Sequence, residues 1–264
     1  MRSVLILTAV CPEARALARA LHLLPHPPPT DLPFWRNEHL CLACIGIAGF
    51  NLHRLPLDNE STKPQLIVMA GVAGALSPEL RRGDVVLDLD SRVSPGTAVP
   101  GLGDTCTRAM HGEQCPTPLP RGAPGAPFSA TVRIGPIHTS SHLITSPAEK
   151  ARLFAETGCL AVDMESDIAR QFAQKHNAAF LALRGISDTA NESLDPKLLS
   201  LVDSAGNPRI GRAIAMLTMR PWKIVEMIRL QSATASAMAR VAQVLTELIA
   251  SGWLGNMPLR PPPT

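Results

Sequence analysis

Ala161-Val162-Asp163-Met164-Glu165-Ser166, followed by Phe180-Leu181-Ala182-Leu183-Arg184-Gly185-Ile186-Ser187-Asp188, is the stretch whose reading decides the fold. Each half is an apolar, strand-like run with an acid at its carboxyl end. Asp188 stands 23 residues after Glu165, and the interval between the two runs holds one helix. Strand 159–164, helix 165–176 and strand 179–186 follow, with Asn177 as a C-terminal cap. Two strands joined through a helix run parallel. Both carboxylates therefore reach the same edge of a parallel sheet.

The flanking sequence extends this pattern. A strand over 3–10 leads into a helix over 12–22 with Pro12 in its first turn. A Pro-rich turn at 25–33 precedes a strand over 40–47. The buried run Gln65–Ala70 ends in Gly71-Val72-Ala73-Gly74, where glycines let backbone approach a ligand. Gly83-Asp84-Val85-Val86-Leu87 opens a further strand. Residues 91–128, rich in Pro and Gly, read as a long surface loop or lid. Order resumes over 130–136. Ser146-Pro147-Ala148-Glu149 is a capping box opening a helix that runs to Glu156 and stops at Gly158. From about 209 to 251 the chain reads as helical, broken at Pro221. Its apolar faces carry Trp222, Val225, Ile228 and Leu230, then Met238, Val241, Leu245 and Leu248. Such a face packs on the sheet or on a partner subunit; with Arg220, Lys223, Arg229 and Arg240 nearby, a membrane surface is the alternative. These elements predict one α/β domain over 1–264, with a sheet buried on both faces and C-terminal helices.

Composition narrows the function classes. The 264 residues are 45% hydrophobic and 18% charged, with a net charge of +3. There is no long Lys/Arg run and no tyrosine, so nucleic-acid binding has little support. Of the six cysteines, Cys41 and Cys44 form a CxxC, but no second CxxC or His pair follows at zinc spacing. On a strand the two face opposite sides. Reduced core thiols in a cytoplasmic protein, and no metal site, are the expectation. The apolar run Val4–Val10 is short for a signal peptide, and no run of about 18 apolar residues occurs.

Breaking a nucleoside C1′–N9 bond builds a cationic sugar and a negatively charged base. It calls for a proton at the base, a grip on the ribose and a nucleophile. Asp188, oriented by Ser187, can protonate or hydrogen-bond purine N7, which expects a site that raises its pKa. Glu165, ionised, can accept hydrogen bonds from the ribose hydroxyls. Met164 offers a flexible apolar surface to the sugar. Glu13 can activate water. Taken singly, an acid after a strand is more often an N-cap, and Glu13 a solvated helix charge; the joint order and spacing of these residues favour chemistry.

The run Met69–Val86 resembles the glycine motif of the nucleoside phosphorylase and nucleosidase superfamily. Ala161–Ser166 and Phe180–Asp188 are similar to its ribose and base motifs, over roughly 3–90 and 130–195. The resemblance implies that 1–264 is a single catalytic α/β domain, a three-layer αβα sandwich with a central mixed sheet, with Met164 and Glu165 at the ribose and Asp188 at the purine. It further implies a turn at Gly71–Gly74 beside the sugar, and Glu13 where the nucleosidase branch keeps its water-activating glutamate. Val72 stands where the methylthioadenosine nucleosidase branch has a serine. Leu143, with Ile144 beside it, stands where that branch stacks an aromatic on adenine. Ser146–Phe154, the Val-Asp-Met-Glu-Ser form and the tail from Leu201 look like hopanoid-associated phosphorylases, which implies release of adenine from adenosylhopane.

No cofactor is expected beyond water or inorganic phosphate as co-substrate. Phosphate wants arginine forks or several N–H groups. No cation adjoins Gly71, and Arg15, Arg36 and Arg54 have no spacing that brings them in, while Glu13 favours water. A methylthioadenosine, S-adenosylhomocysteine or futalosine nucleosidase is the second enzymatic reading. A nucleoside-binding scaffold without turnover is the third. The expected partners are a small-molecule purine nucleoside, lipid-linked in the finer reading, and further copies of this chain in a homodimer or larger homo-oligomer.

Overall fold

The computed structural model describes residues 3–26, 32–55, 63–90, 99, 132–195, 203–205, 207, 209 and 224–257. Ten strands form a mixed sheet among these residues. They are β1 (Val4–Thr8), β2 (Leu24–Pro25), β3 (Phe34–Arg36), β4 (Leu40–Cys44), β5 (Leu66–Ala75), β6 (Val85–Leu89), β7 (Val132–Ile134), β8 (Ile137–Thr139), β9 (Ala161–Asp163) and β10 (Ala179–Asp188). The helices are α1 (Cys11–Ala20), α2 (Pro147–Thr157), α3 (Ser166–Lys175), α4 (Ile224–Ala250) and α5 (Trp253–Asn256). The sheet runs β2-β3-β4-β1-β5-β10-β6-β7, with β9 pairing β5 and β8 pairing β9.

The core follows from period-two alternation along the central strands. Val4, Ile6, Leu66, Val68, Leu181 and Leu183 face one side, against Ala14 and Leu17 of α1 and Val241, Leu245 and Leu248 of α4. Leu5, Leu7, Ile67, Met69, Phe180 and Ala182 face the other, against Ala169 and Ala173 of α3. Helices on both faces make the expected αβα sandwich. Cys44 packs on the first side and Cys41 against the second, as the strand reading requires. Met238, Val241, Leu245 and Leu248 are buried in this core, so that face of the tail serves the sheet rather than a membrane. Trp222, Val225, Ile228, Leu230 and nearly all of 91–128 lie outside the described residues and side chains. No described helix is long and apolar enough to cross a membrane.

Local signals set the element ends. Ser146 Oγ accepts from Glu149 N at 3.2 Å, and Gly158 ends α2 with φ 65°. The Glu149 side chain turns to His142 Nε2 at 3.1 Å, where a capping box would send it back to the cap. Asn177, with φ 55°, follows the end of α3 in the left-handed region. Two expectations are corrected. β9 pairs antiparallel to β5 while β10 pairs parallel to it, so the two acid-ended strands run in opposite directions, although Glu165 and Asp188 still line one cavity. Gly71–Gly74 is no turn. β5 continues through it to Ala75, because β10 pairs along one edge and β9 pairs at Gly74 and Ala75 on the other.

Candidate active site

The carboxyl ends of the parallel strands β1, β5 and β10 open onto a cavity of about 290 Å³. Open α/β sheets place ligands at this edge, and the volume matches the lower end of small-molecule sites, about 300 Å³. Glu13, Val72, Ala73, Gly74, Leu143, Ile144, Met164, Glu165, Ser187 and Asp188 all line it. Gly71 lies behind the wall. A Cβ there would stand 2.6 Å from Arg184 Nη1 and 2.9 Å from Glu13 Oε1, so glycine lets these charges pack against the strand. At Gly74 a Cβ would stand 3.0 Å from Asp188 Oδ2.

Glu13 is buried in the first turn of α1. Its Oε1 accepts from Val72 N at 3.0 Å and its Oε2 from Val10 N at 3.3 Å. Burial raises its pKa, against the pull of Arg184 and these backbone donors. Glu165 is also buried, at the start of α3, and its Oε1 accepts from Ala48 N at 3.1 Å. Ala48 sits in the left-handed region at φ 50°, ψ 32°. A non-glycine residue held there costs about 1 kcal/mol or more; here it aims an N–H at the carboxylate. Burial raises the Glu165 pKa to about 7, with Arg184 opposing and Asp163 adding to the rise. Glu165 therefore titrates near neutrality rather than in the usual carboxylate range. Hydroxyl donors from a ribose would draw out the charged form.

Arg184 joins these acids. It is fully buried in β10, with Nη2 at 2.5 Å from Asp163 Oδ2 and 3.6 Å from Glu165 Oε2. Burial works against its charge, but Asp163, Glu165 and Glu13 outweigh that and raise its pKa. Asp163 also accepts from Ser166 Oγ and, at 3.1 Å, from Thr139 Oγ1. Arg184 is the one Lys or Arg among the described cavity-lining residues; Arg15, Arg36 and Arg54 do not reach it.

The end of β10 forms a second cluster. The register breaks between Ile186 and Asp188, and both Ser187 and Asp188 line the cavity. A bulge re-aims side chains in this way. Asp188 Oδ1 accepts from Ser187 Oγ at 2.7 Å. Its Oδ2 accepts from Lys150 Nζ of α2 at 2.5 Å, a cation that favours the carboxylate where the sequence reading expected a site disfavouring charge.

Sequence reasoning missed Arg184, Asp163 and Lys150. A charge inside a strand buried on both faces needs a partner, and Arg184 and Asp163 carried that signal. Lys150 shares a helical face with Leu153 and Phe154, at spacings of three and four. Val10, Ile47, Leu194 and Thr234, which also line the cavity, come from distant segments and had no local signal.

A family model described as the phosphorylase superfamily matches residues 4–217. A search of curated protein sequences finds no match. Among solved structures, the chain is similar to 5′-methylthioadenosine/S-adenosylhomocysteine nucleosidase of Helicobacter pylori bound to butyl-thio-DADMe-Immucillin-A. That likeness has 17% identity, a TM-score of 0.60, and covers 95% of this chain and 99% of that one. Futalosine hydrolase of the same organism gives 16%, 0.59, 95% and 98%. S-adenosylhomocysteine nucleosidase of Streptococcus pyogenes with 5-methylthiotubericidin gives 19%, 0.57, 95% and 97%. At these identities the structures speak for the fold, while the family model spans most of the chain: the protein belongs to the phosphorylase superfamily, with its nucleoside phosphorylase and nucleosidase architecture.

Proposed function

We propose that this protein cleaves the N-glycosidic bond of a purine nucleoside with water, releasing adenine from a 5′-substituted adenosine. The supporting observation is the joint placement of Glu13, Glu165, Ser187 and Asp188 on the wall of one cavity. Glu165 accepts the ribose hydroxyls. Asp188 protonates purine N7 as the C1′–N9 electron pair leaves with the base. Glu13 takes the proton of the water that attacks C1′. Around Arg184 stand Asp163, Glu165 and Glu13, three carboxyl groups to one guanidinium. This acidic surplus stabilises a cationic sugar in the transition state. It repels a phosphate dianion, which favours water over phosphate.

The finer substrate is adenosylhopane, on the resemblance of Ser146–Phe154 and the tail to hopanoid-associated phosphorylases. Val10, Ile47, Leu143, Ile144, Met164 and Leu194 give the cavity the apolar lining that a nonpolar 5′ group needs. A methylthioadenosine, S-adenosylhomocysteine or futalosine nucleosidase is the second reading, supported by the names of the similar structures. Incubating the protein with a panel of 5′-substituted adenosines, followed by chromatography for free adenine, tests both. Adenine from none of them, with or without phosphate, overturns the activity; binding without turnover would make the protein a scaffold. The expected homodimer or larger homo-oligomer is measured by light scattering on the same preparation.

A further inference from the structure

Lys150 has no part in the reaction as written above. It is fully buried, on a helix whose neighbouring inward residues are Leu153 and Phe154. An ammonium there is costly unless every hydrogen finds an acceptor. Lys150 Nζ meets Asp188 Oδ2 at 2.5 Å, Thr189 O at 2.8 Å and Glu192 O at 3.1 Å. Three hydrogens thus meet three acceptors. Two of these lie just beyond β10, so the lysine ties α2 to the point where Asp188 enters the cavity.

The other carboxyl oxygen has a partner that works in both directions. Ser187 Oγ lies 2.7 Å from Asp188 Oδ1 and 3.2 Å from Ala73 O. A hydroxyl has one hydrogen and can also accept. With Asp188 ionised, Ser187 donates to Oδ1. With Asp188 protonated on Oδ1, the carboxyl donates to Ser187, and Ser187 donates to Ala73 O. Either state is satisfied without a side chain moving.

We propose that Lys150 is a positioning residue that holds Asp188 at the purine and balances the negative charge Asp188 acquires when it protonates the base. This role rests on the proposed N-glycosidic cleavage. In the step, the Asp188 O–H bond breaks and an N7–H bond forms. The C1′–N9 bond breaks with its electron pair on the purine. Asp188 becomes a carboxylate beside the Lys150 ammonium, and Ser187 turns from acceptor to donor. The proton that water gives to Glu13 returns to Asp188 through solvent after release, which closes the cycle.

The role is tested by comparing two leaving groups. Adenine needs a proton to leave; 4-nitrophenolate, from 4-nitrophenyl riboside at pH 8, does not. The kcat/KM for each is measured for the wild type, Lys150→Met and Lys150→Gln. Lys150→Gln keeps donors for the Thr189 and Glu192 carbonyls without the charge. The expected result is a fall in the adenine-to-nitrophenol ratio of roughly a hundredfold in both variants, the scale of general acid catalysis. An unchanged ratio, whether both rates drop together or neither does, overturns the role. Loss of cooperative unfolding in both variants makes the lysine structural and overturns it too. Wild-type protein that releases no adenine overturns the cleavage reading itself; wild-type release with an unchanged ratio in the variants overturns Lys150 alone.

Discussion

Two buried charge clusters border the cavity, and they are balanced differently. At Arg184 one cation faces Asp163, Glu165 and Glu13. At Asp188 one carboxyl faces one ammonium, that of Lys150. Both clusters lie along the same strand pair, where Arg184 is in register with Gly71 and Asp188 with Gly74. Three residues of strand span roughly 10 Å, on the scale of a nucleoside's sugar and base together. The surplus of acid at the first cluster suits a cationic sugar and a water to be deprotonated. The ammonium at the second suits the carboxylate that Asp188 becomes once its proton has gone to the base. The same fold edge thus presents two electrostatic environments, set by how many carboxyls share each cation.

The largest effect should separate the two clusters by leaving group. Glu13→Gln removes the base that activates water, so adenine and nitrophenol release should fall together, on the order of a thousandfold. Asp188→Asn should lower adenine release by a similar factor with a much smaller loss of nitrophenol release. Equal losses in both variants would erase the distinction between the clusters.

Unpairing comes next. Arg184→Met leaves three carboxyl groups in the core without their cation. Breaking a buried pair costs about 3–5 kcal/mol, so denaturant unfolding should show a loss of at least that size. Lys150→Met strands one carboxyl and should cost less. The reverse order would contradict the charge count.

Titration of Glu165 follows. Its folded pKa of about 7 lies above its ordinary value of 4.5. Between those values the folded protein holds more protons than the unfolded chain. Stability from this group is therefore complete below pH 4.5 and is lost as pH rises through about 7. At about 1.4 kcal/mol per pH unit this amounts to about 3 kcal/mol. Denaturant unfolding from pH 4.5 to 8 should show the decline, and Glu165→Gln should flatten it. Activity should run the opposite way, falling as acid protonates Glu165.

The smallest effect concerns the ribose. A hydrogen bond to a carboxylate contributes about 1.5–3 kcal/mol. The wild type should therefore prefer ribonucleosides over 2′-deoxyribonucleosides by tenfold or more, and Glu165→Gln should lose most of that preference.

Much of this arrangement was legible in the chain. Glu165 and Asp188 stood out because each closes an apolar run. The limits of α2 followed from Ser146, Pro147 and Gly158, whose cap geometry the structure reproduces. The strands β2, β3 and β8 were not legible, since two or three residues carry no periodicity. The glycines at 71 and 74 read as a turn because loops commonly hold them. Their job is clearance inside a strand, and only the positions of Arg184, Glu13 and Asp188 reveal it. The two cations were the main omission. Each sits in an apolar context that a hydrophobic pattern absorbs, and each is explained by acids brought to it from other segments.

The central claim is tested most directly by following the oxygen. The wild-type protein is incubated with a 5′-substituted adenosine in ¹⁸O-labelled water containing inorganic phosphate, and the sugar product is analysed by mass spectrometry. The expected result is free adenine with a free pentose carrying one ¹⁸O at C1′. A pentose 1-phosphate without the label, or an intact nucleoside, would contradict it.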